Sequence, residues 1–119
     1  MSKKQDAERQ YRINYEIIVD CYGEAEENMG WYYYFEDNLE FPIEAIIKLH
    51  KQDGKAEGVP IRIISIASKE EAEPRLGYVL PGSDYIHTIG IEDIVKVITN
   101  ETNLQALNDW RYWKGMELW

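Results

Sequence analysis

Four oxygen-bearing side chains stand within five residues of this 119-residue chain, at positions 36–40. They are Glu36, Asp37, Asn38 and Glu40. Calcium takes about six to eight oxygen ligands from carboxylates, amides, backbone carbonyls and water. Thiols and imidazoles, which select softer metals, are missing from this segment. The pattern therefore favours a calcium or magnesium site, and the alternative that the residues leave open is a solvated acidic turn.

The same segment lies in the most acidic part of the chain. Residues 13–47 hold nine carboxylates and no lysine or arginine, whereas acids and bases cancel in the rest, so this part carries the whole formal net charge of -9. The nine are Glu16, Asp20, Glu24, Glu26, Glu27, Glu36, Asp37, Glu40 and Glu44. Two like charges about 4 Å apart repel by roughly 1 kcal/mol in water. We therefore expect a counter-charge from outside: a hard metal ion, a basic partner, or solvent and salt alone.

The spacing of the acids does not follow the EF-hand loop, because no Asp-x-Asp/Asn-x-Asp/Asn-Gly run leads to a glutamate at its twelfth position. A calcium site here is therefore outside the EF-hand class. If the two N-terminal helices pack closely, the acids that complete the coordination shell are Asp20, Glu27 and Glu44. The acidic loop over residues 70–73 is a second, weaker candidate, and its alternative is again a solvated loop.

Catalytic chemistry has little support in the sequence, and we expect no enzyme. His50 and His87 each stand in a predicted strand, where a histidine is commonly structural. Cys21 is expected on the apolar face of a helix, with no cation nearby to lower its pKa. There is no glycine-rich phosphate loop, nucleophile elbow or zinc-ligand spacing.

Composition excludes several partners and locations. A pI near 4.7 argues against nucleic acid and against an anionic membrane surface, since phosphates would be repelled. One cysteine cannot form an intramolecular disulfide. No apolar run approaches the roughly 20 residues that span a bilayer, and the polar N-terminus does not resemble a secretory signal. We therefore expect a cytoplasmic protein.

Two helices are predicted in the N-terminal part. From Tyr11 to Cys21, apolar residues recur at spacings of three and four. After Gly23 a second helix begins with acids in its first turn. It should stop by Phe41, because Pro42 disfavours helical geometry at the residue before it. The apolar residues assigned to this helix are Trp31, Tyr34, Phe35 and Leu39.

The rest of the chain is predicted to be rich in strands. Strands are expected at 43–49, 59–67, 78–80, 85–91 and 94–98, followed by a helix over 102–113. The whole chain, residues 1–119, is read as one α+β domain, with a helical acidic part (1–42) and a β-rich part that ends in a helix (43–119). Short strands separated by turns favour a small, bent antiparallel sheet that resembles an SH3-like barrel.

Three segments carry a resemblance to a known family. They are residues 19–24 (Val-Asp-Cys-Tyr-Gly-Glu), residues 29–42 (Met-Gly-Trp-Tyr-Tyr-Tyr-Phe-Glu-Asp-Asn-Leu-Glu-Phe-Pro) and residues 109–113 (Asp-Trp-Arg-Tyr-Trp). Together they resemble the small cyanobacterial calcium-binding proteins linked to heterocyst differentiation. The resemblance spans most of the chain, although residues 51–100 match only in pattern.

This resemblance implies calcium binding without EF-hands, in an acidic cytosolic protein that buffers or sequesters the ion. Loss or degradation of such a protein would release calcium as a developmental signal. The resemblance points to Glu36, Asp37, Asn38 and Glu40 as site residues, and it supports an SH3-like central region. Within this set we expect Asp37 and Glu40 to be the charged ligands, with Asn38 binding through its amide carbonyl or supporting a ligand.

A second function remains open beside calcium binding. In this alternative the chain is a protein-interaction module whose acidic part docks a basic partner. The five consecutive aromatics at residues 31–35 are consistent with it. Consecutive helical side chains lie about 100° apart, so two or three of these rings must contact another element or a partner.

Overall fold

The computed structural model describes residues 3–67 and 72–119, with side chains from residue 6 onward. The elements in chain order are α1 (Lys3–Arg12), a π-helical turn (Ile13–Ile17), α2 (Glu24–Asn38), β1 (Ile43–His50), β2 (Ala56–Ile66), β3 (Arg75–Val79), β4 (His87–Gly90), a 3-10 turn (Ile91–Asp93), β5 (Ile94–Ile98) and α3 (Glu101–Trp113). The fold is thus α+β, with N-terminal helices, an antiparallel sheet and a C-terminal helix, as predicted.

The first helix differs from the prediction in its start and in its geometry. It begins at Lys3, well before Tyr11, and changes to π geometry at Ile13. There the Ile18 N–H donates to the carbonyl of Ile13 at 3.0 Å. Ile13 and Ile17 are buried, so the wider turn still directs the apolar face that the sequence indicated into the core.

Because the helical segment ends at Ile17, Cys21 does not lie on a helix as expected. It sits half-buried in the connection to α2, where its Sγ contacts the carbonyl of Glu26 at 3.4 Å. Burial, and then the nearby carboxylates Glu26, Glu27 and Asp20, raise the pKa of this thiol. The structure therefore gives Cys21 an environment that disfavours the thiolate.

Helix α2 forms much as the sequence indicates, and its inner face fills the core. Trp31 and Phe35 are fully buried, and Leu39 is buried just past the last turn. Trp31 meets Trp110 of α3 edge to face, with ring centroids 5.3 Å apart. This aromatic contact packs α2 against α3 and fixes where the C-terminal end of α2 lies.

The five strands form one antiparallel sheet in the order β4-β3-β2-β1-β5. The long strand β2 serves two neighbours: residues 56–63 pair with β1, and residues 62–66 pair with β3 across an irregularity between Ile63 and Ser65. Within the described ranges, no pairing joins β4 to β5. The sheet is therefore open, and the expected resemblance to an SH3-like barrel is not confirmed.

Three of the strands depart from their predicted bounds. Strand β2 begins at Ala56 and strand β3 at Arg75, each ahead of its predicted start at residues 59 and 78. Strand β4 covers only His87–Gly90, because Tyr85 and Ile86 are exposed in the preceding connection and Ile91 opens a 3-10 turn.

Candidate metal site

Helix α2 ends among the predicted ligands. Leu39 leaves helical geometry, with φ -85 and ψ 131, and its N–H makes the last helical bond, to Phe35. The side chains of Glu36, Asp37 and Glu40 are exposed, and that of Asn38 is half-buried. The carbonyls of the last turn lack helical donors, and the negative end of the helix dipole lies here. The dipole therefore favours a cation at this end of the helix and disfavours the three carboxylates that stand there.

The segment after α2 is held by one side chain of α3. The Glu40 N–H donates to Oδ1 of Asn103 at 2.8 Å, and Nδ2 of Asn103 donates to the Glu40 carbonyl at 2.9 Å. The same Nδ2 also donates to Oγ1 of Thr99 at 2.8 Å. Asn103 is buried, so these bonds are shielded from water. They fix the backbone of Glu40 and leave its carboxylate exposed.

Asp37 and Asn38 line an open depression of about 440 Å³ between α2 and the π-helical turn. Glu16 lines the same depression from the π-helical turn. Nδ2 of Asn38 donates to the Tyr34 carbonyl at 2.8 Å, so Oδ1 is the atom of this side chain that can meet a cation. Its lining thus includes two carboxylates and the amides of Asn38 and Gln105, whose oxygens are of the kind that a hard cation binds, together with Arg12.

Close packing of the backbone allows this approach. A Cβ built on Gly30 of α2 would lie 2.3 Å from the carbonyl oxygen of Ile17, a distance that no side chain tolerates. Glycine at this position therefore lets α2 lie directly against the π-helical turn. As a result, Glu16 and Asp37 border one depression although they are far apart in sequence.

The four predicted residues are not all brought to one point. Glu36 and Glu40 are exposed and do not line the depression that Asp37 and Asn38 share. Over residues 3–67 and 72–119, no group of three or more acidic, histidine or cysteine side chains is arranged to hold a metal. A cation at this end of α2 would thus draw on few carboxylates and take its other oxygens from the amide, the backbone and water.

The additional acids considered from the sequence lie apart from this depression. Asp20 is exposed, with a positive φ of 57 in the connection before α2, and Glu27 is half-buried in the first turns of α2. Glu44 accepts a 3.1 Å bond from Nε of Arg62 on β2. Of the acidic loop, residues 70 and 71 lie outside the described residues, and Glu73 forms an ion pair with Lys114. None of these acids lines the depression with Asp37.

A buried carboxylate behind the depression ties the three helices together. Asp109 of α3 is fully buried and pairs with Arg9 and Arg12 of α1. Arg12 donates twice, from Nε to Oδ2 and from Nη2 to Oδ1, at 2.7 Å each. The hydroxyl of Tyr34 on α2 donates to Oδ2, also at 2.7 Å. This network positions α1 and α2, and with them both walls of the depression.

The network also shifts the pKa of two of its members, Tyr34 and Arg12. Burial, followed by the hydrogen bond to Asp109, raises the pKa of Tyr34 above its ordinary value. The bond to Asp109 is the main reason that the pKa of Arg12 is raised as well. Tyr34 is therefore a neutral donor and Arg12 a permanent cation at ordinary pH. The oxygens of Asp109 are occupied by these partners and by Arg9, so this side chain is not available to a metal ion.

Sequence reasoning missed three residues of this arrangement. Glu16 was counted among the acids but not as a site residue, and the small size of Gly30 was the signal that could have placed it beside α2. Asn103 gave no signal, because its bonds to the backbone of Glu40 join segments that are distant in the sequence. Asp109 was noted only as part of a motif.

The exposed oxygen-bearing side chains at the end of α2, on a small α+β fold whose sequence has no EF-hand loop, fit the class of metal-binding proteins that do not use that motif. A family model, Calci_bind_CcbP, described as calcium binding, matches residues 11–114. The chain belongs to this calcium-binding family.

Solved structures agree with the family assignment. The crystal structure of Anabaena CcbP is 30% identical and has a TM-score of 0.79, with 94% of each chain covered. A structure described as a calcium binding protein in the calcium-binding form is 29% identical with a TM-score of 0.77, covering 98% of this chain and 99% of that one. Among curated proteins, none matches this chain.

Among the described residues, no helix combines the length and the apolar character that a membrane crossing demands.

Proposed function

We propose that this protein binds calcium at the C-terminal end of α2 and acts as a buffer of the free ion. The observation that carries the proposal is the open depression that Asp37, Asn38 and Glu16 all line, beside the negative end of the helix dipole. Asp37 is the central charged ligand. Asn38 supplies its amide oxygen, and Glu36 and Glu40 reach a bound ion directly or through water.

The surroundings of these carboxylates support an external cation. In the described parts of the chain, the ion pairs use Asp109, Glu57, Glu44 and Glu73, and none uses Glu36, Asp37 or Glu40. The acids at the end of α2 therefore keep their repulsion until an ion or a partner arrives. Oxygen-only ligands favour calcium or magnesium over zinc or copper.

The open, irregular arrangement favours calcium over magnesium, which demands near-octahedral geometry and loses water reluctantly. Few protein ligands with several waters correspond to a dissociation constant of about 10⁻⁷ to 10⁻⁵ M or weaker. This range suits a protein that takes up and releases calcium rather than one that holds it permanently.

The wider role follows the family resemblance. We propose a single-domain, non-enzymatic, cytoplasmic protein that sequesters calcium, with release of the ion contributing to calcium signalling during heterocyst differentiation. Family membership and the similarity to a calcium binding protein in the calcium-binding form support this role.

Isothermal titration calorimetry of chelator-treated protein with calcium tests the proposal. Replacing Asp37 by Asn and Glu40 by Gln keeps shape and removes two charges, and we expect affinity to fall at least about tenfold, or about 1.4 kcal/mol. Glu92→Gln with Asp93→Asn removes the same charge from the exposed 3-10 turn and should leave affinity within about twofold.

Three outcomes would overturn the assignment. Indifference of the folded wild-type protein to calcium would remove the function itself. Equal binding of magnesium would remove the calcium selectivity. An unchanged affinity in the Asp37/Glu40 variant would place the main site elsewhere, with the acidic loop over residues 70–73 as the next candidate.

A further inference from the structure

Exposed aromatic rings lie on α1, on the π-helical turn and on α2, around the candidate calcium site. Tyr11 and Tyr15 are each 63% exposed, and their ring centroids lie 4.8 Å apart. Tyr33 of α2 is exposed as well. Aromatic residues are enriched at protein interfaces, so exposed rings of this kind indicate a contact surface.

These rings stand beside carboxylates. Glu8, Tyr11 and Glu16 line an open depression of about 450 Å³ along α1. It adjoins the depression that holds Tyr33 and Asp37, since Glu16 and Arg12 line both. We call this continuous surface the tyrosine-acid groove and define it by Glu8, Tyr11, Glu16, Tyr33 and Asp37.

The charge of the groove is negative. Arg12 is the one basic residue among those that line either depression in the described chain, and its guanidinium already donates twice to Asp109. The carboxylates of Glu8, Glu16 and Asp37 thus face solvent beside π-faces that attract cations. Guanidinium groups in particular stack on aromatic rings and pair with carboxylates.

We propose that the tyrosine-acid groove is a docking surface for an arginine- or lysine-bearing segment of a partner protein. Charge complementarity chooses this occupant. A second copy of the chain, also at -9, would be repelled, and so would nucleic acid or an anionic membrane. The aromatic rings supply contact area and cation–π attraction, and the carboxylates supply steering and orientation.

The groove overlaps the candidate calcium site, so calcium would regulate binding of the partner. A calcium ion at Asp37 neutralises carboxylates that would otherwise face the partner's cations, so calcium weakens docking. By thermodynamic linkage, the partner lowers calcium affinity by the same factor. This second part rests on the proposed function, whereas the docking surface itself does not.

Calorimetry in chelator at low ionic strength tests the docking surface alone. The probe is a short synthetic peptide that alternates arginine and alanine, and the matched control carries citrulline in place of arginine, which keeps the shape and removes the charge. We expect the arginine peptide to bind, with an affinity that falls as salt is added, and the citrulline peptide to bind at least about tenfold more weakly. Absence of binding by the arginine peptide, or equal binding of both peptides, would overturn the proposal.

Two pairs of matched variants locate the peptide. Tyr11→Ala should weaken binding about threefold, in line with cation–π attraction at an exposed ring, while Tyr85→Ala, at a ring 69% exposed beside the sheet, should change it less than about 1.5-fold. Glu8→Gln should weaken binding more than Glu92→Gln, which removes an equal charge outside the groove. Equal losses of peptide affinity within either pair would show non-specific attraction and would contradict docking in the tyrosine-acid groove.

Calcium is then added to the wild-type complex and to the Asp37→Asn complex. We expect calcium to weaken the peptide in wild type and to have a smaller effect in the variant. If calcium binds and leaves peptide affinity unchanged, the competition is refuted while calcium binding stands. If no calcium binds, the proposed function fails on its own, and the chelator experiments still decide the docking surface.

Discussion

Asp37 and Asp109 are the same residue type in opposite surroundings. Asp109 is fully buried and meets two arginines and a tyrosine hydroxyl inside the protein. Asp37 is exposed at the end of α2, where no ion pair among the described residues uses it. The comparison separates carboxylates whose charge is paired inside the fold from carboxylates that remain available to an ion or a partner protein.

The largest expected effect comes from Asp109→Asn, which tests how much the buried carboxylate contributes to stability. It leaves Arg9 and Arg12 without their counter-charge, and breaking a buried pair in this way costs about 3 kcal/mol or more. We expect urea denaturation to show that loss in the free energy of unfolding. The matched change at an exposed acid, Asp93→Asn, should stay within about 0.5 kcal/mol. A loss for Asp109→Asn no larger than the control would show that the network adds nothing to stability.

The close approach of α2 to the π-helical turn is tested by Gly30→Ala. The added Cβ collides with the Ile17 carbonyl, and overpacking of this kind costs about 1 to 3 kcal/mol. Gly58→Ala on β2 is the control, since its Cβ would meet Ile46 at an ordinary 3.5 Å. Equal thermal stability of the two variants would contradict the packing described here. Calcium affinity of the folded Gly30→Ala protein should also fall, because Glu16 and Asp37 would be pushed apart.

The exposed carboxylate of Asp37 should show the opposite pattern, with an effect on calcium affinity and little effect on stability. Asp37→Asn is expected to lower calcium affinity about tenfold, or about 1.4 kcal/mol, while stability in chelator stays within about 0.5 kcal/mol of wild type. Calorimetry and denaturation on the same preparations measure both quantities. If the variant lost stability and kept its calcium affinity, Asp37 would have a structural role like that of Asp109.

The smallest expected effect belongs to the pH dependence of Tyr34. Its pKa is raised in the folded protein from an ordinary value of 10.0, so folding favours the protonated phenol. The corresponding stability is fully present below about pH 10 and is lost as pH rises towards the folded pKa. Tyr34→Phe should cost about 1 kcal/mol at neutral pH, since one hydrogen bond to Asp109 is lost.

Denaturation midpoints between about pH 8 and 11 measure this prediction. The gap between wild type and Tyr34→Phe should narrow as pH rises above 10, because only wild type carries this titration. Tyr85→Phe, at an exposed ring, is the control and should run parallel to wild type throughout. A gap that stays constant or widens would contradict the assigned direction.

Local periodicity was enough to predict much of the fold. Strand β5 was predicted at its observed bounds, and β1 and α3 to within one residue, because apolar residues recur locally in each segment. The predicted strand over residues 85–91 was too long, because the alternation of apolar residues continues through Tyr85 and Ile86, which face solvent. The predicted resemblance to an SH3-like barrel is not confirmed, since closure of a sheet depends on long-range pairing of strand edges, which local periodicity does not show.

The candidate site was located but not assembled from the sequence. Clustered oxygen ligands indicated the end of α2, and the end of the helix at Asn38 agrees with the influence of Pro42. Glu16 could not be assigned, because its position depends on a backbone contact at Gly30. The partners of Asp109 were equally hidden, since Arg9 and Arg12 lie about a hundred residues away in the chain.

The aromatic cluster between α2 and α3 has an optical consequence. Trp31 and Trp110 are fully buried, and the ring centroid of Trp113 lies 5.4 Å from that of Trp31. Buried indoles emit at shorter wavelength than hydrated ones, so intrinsic fluorescence reports directly on this packing. Trp31 belongs to the helix that ends at the candidate ligands. A structural change at residues 36–40 that alters the packing of this helix would therefore change the intrinsic tryptophan fluorescence, without an added dye.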